Sequence, residues 1–403
     1  MNDPFGLCTP EFQADPYPML ARLRREAPIY FSEPWEAWLV TRHADVHAGF
    51  RDERLSADRA AAFARHVPAA LADEVAPLVN NVRRWALFID PPAHKRVRAL
   101  LNRAFSPRLI NGLRPRIVAI VNQLLDASNG HDQFDLVQLL AVPLPVLVIG
   151  ELMGLPPEDR ERLKTWSDDL AALLGAATPT LPLLRGAVRA IVELEAYFRE
   201  HIAERRRTPR EDLLTALVAS EADGAILDEQ ELVATAAMML FGGHETTTHL
   251  IGNGVHALAR HPGQWRRLHA EPALAPSAVE ELLRYDSPVQ RMGRVVKTEL
   301  VLHGQRLGAG QRVFLMLGAA NRDPDVFAAP DELDLERADN KHLAFGWGAH
   351  YCVGAALGRL EAELVLAELA RRFVTLTLDG ETPPHLHNAT VRGLSALPIS
   401  VTR

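Results

Sequence analysis

Four groups of residues in the 403-residue chain have types and spacings suited to chemistry. The first is Phe345-Gly346-Trp347-Gly348-Ala349-His350-Tyr351-Cys352-Val353-Gly354, which leads into a helical pattern. A cysteine at a helix N-terminus meets unsatisfied backbone N–H groups and the positive end of the dipole, which favour an anion. The glycines let the backbone turn tightly and approach something flat. Taken alone, the segment also fits a buried, inert cysteine, the commoner fate of an isolated thiol. The second group is Gly242-Gly243-His244-Glu245-Thr246, inside an apolar helical pattern. Two glycines there cost roughly 1 kcal/mol each relative to alanine. Their missing side chains leave room for a flat group and a small ligand against the backbone. Thr246 can bond back to the Gly242 carbonyl and open the helix locally.

The third group is Glu281 and Arg284, one turn apart and able to pair, either in a structural network or as an ordinary surface pair. The fourth lies in Asp90-Pro91-Pro92-Ala93-His94-Lys95-Arg96-Val97-Arg98. His94 and Arg98 share a helix face, a mildly repulsive arrangement that an anion between them would resolve. Asp90 reads as the N-cap, with prolines in the first turn. A zinc-hydrolase alternative in His244-Glu245-Thr246-Thr247-Thr248-His249 fails on spacing. Histidines five residues apart diverge by roughly 140° around a helix, whereas zinc needs the four-residue spacing and a third ligand.

These groups need elements to hold them. Helical periodicity dominates from His43 to about Thr298, broken at Pro91-Pro92, Pro107, Pro156-Pro157, Pro179 and Pro209. A short helix within Pro16–Pro28, with Pro16 and Pro18 near its start, a hairpin over Ile29–Thr41 and short strands after Thr298 complete the pattern. The central helix spans about 230–260. A last helix runs from Cys352 to about Phe373, with an apolar stripe of Leu357, Leu360, Leu364 and Leu369. No repeat or linker-like shift appears, so one mainly α domain with a minor β region is expected.

Composition narrows the function. With 44 Lys+Arg against 51 Asp+Glu, the net charge of −7 argues against general nucleic-acid binding. The two cysteines, Cys8 and Cys352, cannot form a disulfide scaffold, which suits a reducing cytoplasm. Neither a leader-like N-terminus nor a long uninterrupted apolar run occurs, so no membrane association is expected.

The cysteine segment resembles the haem-binding loop of the cytochrome P-450 family, Phe-Gly-x-Gly-x-His/Arg-x-Cys-x-Gly, at all six defining positions. Trp347 stands where smaller or polar residues are frequent. Glu281 and Arg284 match the family's Glu-x-x-Arg helix, and Arg337 matches the arginine that completes its buried network. Gly242–Thr246 matches the oxygen-side motif of its central helix. The likeness runs from Asp15-Pro16-Tyr17-Pro18 to Arg392-Gly393-Leu394. It implies a single cytochrome P-450 domain over residues 1–403, with its haem loop at 345–354 and Cys352 as the axial thiolate of haem b. Phe345 and Gly346 then belong to the cofactor loop, while His94, Arg98, Arg294 and His350 match contacts to the haem carboxylates. Thr246 would donate a hydrogen bond to bound dioxygen, and Glu245 would relay protons.

The implied activity is monooxygenation of an apolar small molecule, with hydroxylation of a secondary metabolite or its precursor favoured. The alternatives are a haem-thiolate peroxygenase, against which the Glu245-Thr246 pair speaks, an oxidative-coupling enzyme that uses the same oxidant, and a non-catalytic haem sensor. Electrons would come from NAD(P)H through a separate ferredoxin or flavodoxin and its reductase, to a monomer whose Arg96, Arg103 and Arg359 offer a docking face. By family layout the substrate site draws on Val67–Trp85, Leu170–Leu184, Leu240 and Gly243, Val289–Met292 and Ala389–Leu394.

Overall fold

The structure is a computed structural model, and it describes residues 3–60, 67, 69–176, 180–222, 228–380, 385–386 and 388–403. Helices dominate, and the chain divides into two compact units. One is built from Met1–Leu55, Leu113–Leu144 and Thr246–Arg403, the other from Ser56–Gly112 and Pro145–Glu245. Among the described residues, no helix is long and apolar enough to cross a membrane.

The first unit carries the β structure. Strands Ile29–Ser32 and Ala37–Val40 form the expected antiparallel hairpin, with Ile29 opposite Val40. Ala37–Val40 then runs parallel to Arg312–Leu315, which pairs antiparallel with Met292–Val296 and sets Arg294 opposite Val313. Val40, Val46, Val313, Leu315 and Leu343 form one apolar cluster with Phe50. That cluster supports the sheet and the approach to the cysteine loop together.

The last helix, Ala355–Arg372, packs on Arg114–Asp126 and on Ala275–Tyr285. Its stripe of Leu357, Leu360, Leu364 and Leu369 is buried. The helix begins three residues after Cys352, later than its periodicity suggests, because Gly354 takes the N-cap position. Among the described residues, three strands fall in the region that reads as helical, Leu55–Ser56, Gln133–Asp135 and Met292–Val296. Met292–Val296 is held by the sheet just described, and Gln133–Asp135 pairs with the C-terminal strand Pro398–Thr402. Partners so distant in sequence leave no local periodicity to read.

The second unit is helical. Leu181–Arg207 packs against Arg160–Gly175 and Ala72–Val82, burying Leu184, Ile191, Leu194, Phe198 and Ile202. Near its C-terminal end, the fully buried Arg205 donates to Asp212 Oδ2 at 2.6 Å and to the Gly154 carbonyl at 2.6 Å. Gly154 has φ +68°, and a Cβ there would lie 2.2 Å from Asp212 Oδ2 and 2.8 Å from Arg205 Nη2. Gly154→Ala therefore combines backbone strain with a disturbed buried ion pair. It is expected to cost about 2–4 kcal/mol, measurable as a lowered unfolding midpoint in urea. Gly130, also at positive φ but with open space around it, supplies the comparison for strain alone.

Candidate functional site

The cysteine loop is shaped by its glycines. Gly346 and Gly348 both sit at φ +70°. A Cβ at Gly346 would meet the Phe50 ring at 3.4 Å, and one at Gly348 would meet the Phe50 carbonyl at 3.4 Å. Both positions thus need glycine for conformation and for closeness to Phe50. The turn is pinned by Gly346 N–H donating to the Leu343 carbonyl and Cys352 N–H to the Phe345 carbonyl, at 2.8 and 2.9 Å. Phe345 is half-buried, with its ring under the Arg359 guanidinium, and His350 closes the short turn Gly348–His350. Cys352 presents an exposed thiol ahead of the helix. Trp347 is itself exposed and tilts onto His47, with ring centres 4.8 Å apart.

Behind the loop, Glu281 and Arg284 are fully buried and paired through two hydrogen bonds of 2.8 Å. Arg337 donates to both oxygens of Glu281, and Asn340 and the Asp334 N–H add further donors. Arg284 also reaches the carbonyls of Asn321, Pro330 and Glu332. The structure thus brings all three network residues together and ties the helix Ala275–Tyr285 to the segment preceding the cysteine loop.

The adjacent Glu280 was not singled out by sequence reasoning, yet it makes a second tie. Arg359 donates to it twice, at 2.6 and 3.0 Å, and His342 bonds it at 3.1 Å. Arg359 also donates to the Tyr351 hydroxyl beside Cys352. Burial pushes the Glu280 carboxyl up, but the hydrogen bonds from His342 and Arg359 and the Arg359 charge outweigh it and hold the group at about 2. Two of the three arginines expected at a docking face carry ion pairs within the chain. Arg359 is committed to Glu280, and Arg96 pairs with Glu231 through both nitrogens of its fork. Arg103 is exposed.

Arg294, at 3% exposure, lies over the Phe50 ring at 5.3 Å and donates to the Gly293 carbonyl. Phe50 therefore contacts both an expected cofactor cation and the glycine turn, a role that a lone aromatic after a short helix gave no sign of. In the second unit, His94 is buried near the start of Ala93–Ala104, and Arg98 is half-buried one turn later, donating to Asn102. Asp90 is not the N-cap expected. Its carboxylate takes the Ser56 hydroxyl and the Ala57 N–H instead, and Pro92 holds the cap position.

The central helix spans Glu229–Arg260 and carries Thr246 within it. Its two glycines differ. A Cβ on Gly243 would press on Ile149 at 3.1 Å, whereas one on Gly242 would meet nothing within 4 Å among the described residues. Gly243 therefore serves helix packing, and Gly242 is the position that leaves space. Glu245 is half-buried in the second unit, where it and His244 lie with Asp168. Thr246, the next residue, opens the long final segment of the first unit, also half-buried. His249 is packed against Gly393, so the two histidines of the zinc alternative serve different surroundings.

Of the expected substrate segments, residues 68 and 177–179 lie outside the described residues. Leu170, Leu184 and Leu240 are buried, and Trp85 is a core residue, tilted against Phe241 and donating to Asn81. Val289 bridges to Val391, joining two of the segments directly.

The donor set fits a thiolate-ligated haem. The first unit offers an exposed thiol after a glycine turn that meets Phe50, and a buried arginine over the same Phe50 ring; the second offers a buried histidine, an arginine one turn on, and an open glycine on the central helix. The comparisons agree. The family model described as Cytochrome P450 matches residues 79–402. Cytochrome P450 CYP107DY1 of Priestia megaterium is 39% identical over 90% of this chain and 89% of its own. Cytochrome P450 monooxygenase PikC of Streptomyces venezuelae is 39% identical over 98% and 93%. The crystal structure of P450BioI in complex with a hexadec-9Z-enoic acid-ligated acyl carrier protein superposes with a TM-score of 0.90 at 34% identity, covering 97% of this chain and 99% of that one.

The Glu280 tie sets an acid dependence. Its carboxyl is lower in the folded chain than the ordinary 4.5, so its contribution is complete above about pH 4.5 and vanishes as pH falls towards 2. Glu280→Gln should be less stable than the parent at neutral pH, and the gap should close on acidification. Chemical unfolding followed at several pH values reads this directly.

Proposed function

The chain belongs to the cytochrome P450 family and is a haem-dependent monooxygenase; on that premise we propose that it hydroxylates an apolar secondary metabolite or its precursor, with Cys352 holding the iron. The haem supplies dioxygen activation and transfer of one oxygen atom to the substrate, using two electrons delivered from NAD(P)H. The protein residues hold and orient that group and move protons. The observation that carries the reading is the exposed Cys352 thiol set by Gly346 and Gly348 ahead of the helix Ala355–Arg372. In that position the helix dipole favours the thiolate.

His94, Arg98, Arg294 and His350 are assigned to the haem carboxylates; burial of His94 and Arg294 makes a charged partner for each worth more than it would be in water. Glu245 would carry protons inward, and the Thr246 hydroxyl would supply a hydrogen-bond donor on the oxygen side of the site. P450 enzymes typically draw electrons from redox partners. A separate ferredoxin or flavodoxin with its reductase is proposed here, acting on a cytoplasmic monomer. Arg103 remains the exposed cation of the three expected at the docking face. The substrate class is supported by relatives such as PikC and the polyketide-biosynthesis P450 PksS of Bacillus subtilis, 35% identical over 98% of this chain.

The carbon monoxide spectrum of the reduced holoprotein tests the ligand. The parent should show the red-shifted Soret band of thiolate ligation, and Cys352→Ser should lose it; a parent spectrum without the shift would refute Cys352. Thr246→Ala should keep that band yet lower product formed per NAD(P)H by about tenfold or more. Unchanged coupling would remove the role given to Thr246.

A further inference from the structure

The segments Val289–Met292 and Ala389–Leu394, expected to line the substrate site, meet through single bonds. Besides the Val289–Val391 bridge, Gln290 N–H donates to the Thr390 carbonyl at 2.8 Å and Arg392 N–H to the Pro288 carbonyl at 2.7 Å. Arg291 Nε adds a bond to the Thr390 hydroxyl at 3.2 Å. Irregular backbone of this kind takes its position from the scaffold that holds it.

That scaffold includes the N-terminal stretch. The Arg392 fork donates to the carbonyls of Gln13 and Ala14, both at 2.8 Å, at the C-terminal end of the short helix Pro10–Ala14. The last carbonyls of a helix lack partners within it, and its dipole favours a cation there. Arg392 Nε also donates to Asp286 Oδ1 at 2.9 Å. The same oxygen accepts the Tyr17 hydroxyl at 2.6 Å, and that hydroxyl in turn accepts Gln290 Nε2 at 3.2 Å. Tyr17, Asp286, Gln290 and Arg392 are all buried. Arg322 lies 3.6 Å over the Tyr17 ring while donating to the Tyr285 carbonyl. Residues 13–17 thus reach both segments, one through Arg392 and the other through Gln290, with one oxygen of Asp286 as the shared acceptor.

We propose that Tyr17 and Arg392 are positioning residues for substrate binding, through which the N-terminal stretch braces the substrate wall from behind. The proposal rests on the reading that Val289–Met292 and Ala389–Leu394 line the substrate site.

The brace is held by charge as well as by geometry. Burial pushes the Asp286 carboxyl up, but the Arg392 charge and the Tyr17 hydrogen bond outweigh it and keep the group below its ordinary value, so the shared acceptor stays ionised. An ionised carboxylate withdrawn from water holds its donors more firmly than an exposed one. The cysteine loop is pinned by other contacts, those of Leu343, Phe345 and Phe50. Loosening the brace should therefore affect ligands that reach the wall and spare the iron ligand.

The test compares two azoles on the holoprotein, each binding iron through a ring nitrogen and each read by its spectral shift. Imidazole is too small to need the wall, whereas econazole carries apolar bulk that fills the site. The ratio of their dissociation constants reports the wall alone. The parent should hold econazole roughly a hundredfold tighter or more, as burial of its apolar surface requires. Arg392→Gln should lower that preference on the order of tenfold, the scale of a displaced binding surface. Tyr17→Phe, a milder change that removes one hydroxyl, should lower it about threefold. Arg392→Lys should fall between parent and Arg392→Gln, because lysine restores the charge beside Asp286 but not the two-pronged grip. All three should keep the carbon monoxide band of the parent. A role in stability alone would lower the unfolding midpoint and leave the azole preference of the folded holoprotein at the parental value; that result in Arg392→Gln or in Tyr17→Phe would overturn the proposal. Val289→Ala separates the two readings. If it keeps the preference in full, or if the parent shows none, the substrate-site reading fails. If it lowers the preference while the Tyr17 and Arg392 variants do not, only the brace falls.

Discussion

A carboxylate withdrawn from water must be met by donors on every side, and at Glu281 that requirement organises the haem-binding end of the chain. Its two oxygens receive Arg284, Arg337, Asn340 and a backbone N–H. Removing any one donor leaves charge uncompensated in a dry interior, which costs several times what a surface pair contributes. The helix Ala275–Tyr285 and the segment from Asn321 to Asn340 are consequently fixed with respect to each other. The cysteine loop grows directly from that segment. A rigid base matters because a metal ligand misplaced by a fraction of an ångström tunes the iron wrongly.

The central helix meets a different constraint, namely how to stay intact while leaving room. Both glycines carry a propensity penalty, and each returns something different for it. Gly243 lets Ile149 pack close, and Gly242 leaves a clear space beside the backbone. One residue braces the helix and its neighbour keeps a face open. Glu245 and Thr246 follow within a turn, so the acid and the hydroxyl are held in a fixed sequence of directions by helical geometry alone.

What could be read from the sequence was what repeats a fixed spacing. The glycines around Cys352, the three-residue step from Glu281 to Arg284 and the leucine stripe of the last helix are local patterns, and each has its structural counterpart. Residues whose partners lie far along the chain were silent. Glu280 looks like any surface charge until Arg359, 79 residues on, folds against it. Asp90 has the position of a cap, yet Ser56, 34 residues before it, competes successfully for the carboxylate. Phe50 and Asp168 belong to the same group, because nothing in their neighbours' types announces a cofactor loop or a second carboxylate. The partners of Arg96 and Arg359 were silent for the same reason, since a basic residue shows its charge and not what pairs with it.

Glu280 and Glu281 also say something about how this chain can change. Adjacent helical residues point about 100° apart, and here each direction is occupied: one glutamate anchors the segment before the loop, the other the helix after it. Substituting the exposed face of that helix leaves both anchors in place. Adding or deleting a single residue within Ala275–Tyr285 rotates them together and unseats both at once. Chimaeras with related enzymes should thus tolerate exchange of surface positions here but no shift in length, and engineering of substrate range belongs elsewhere in the chain.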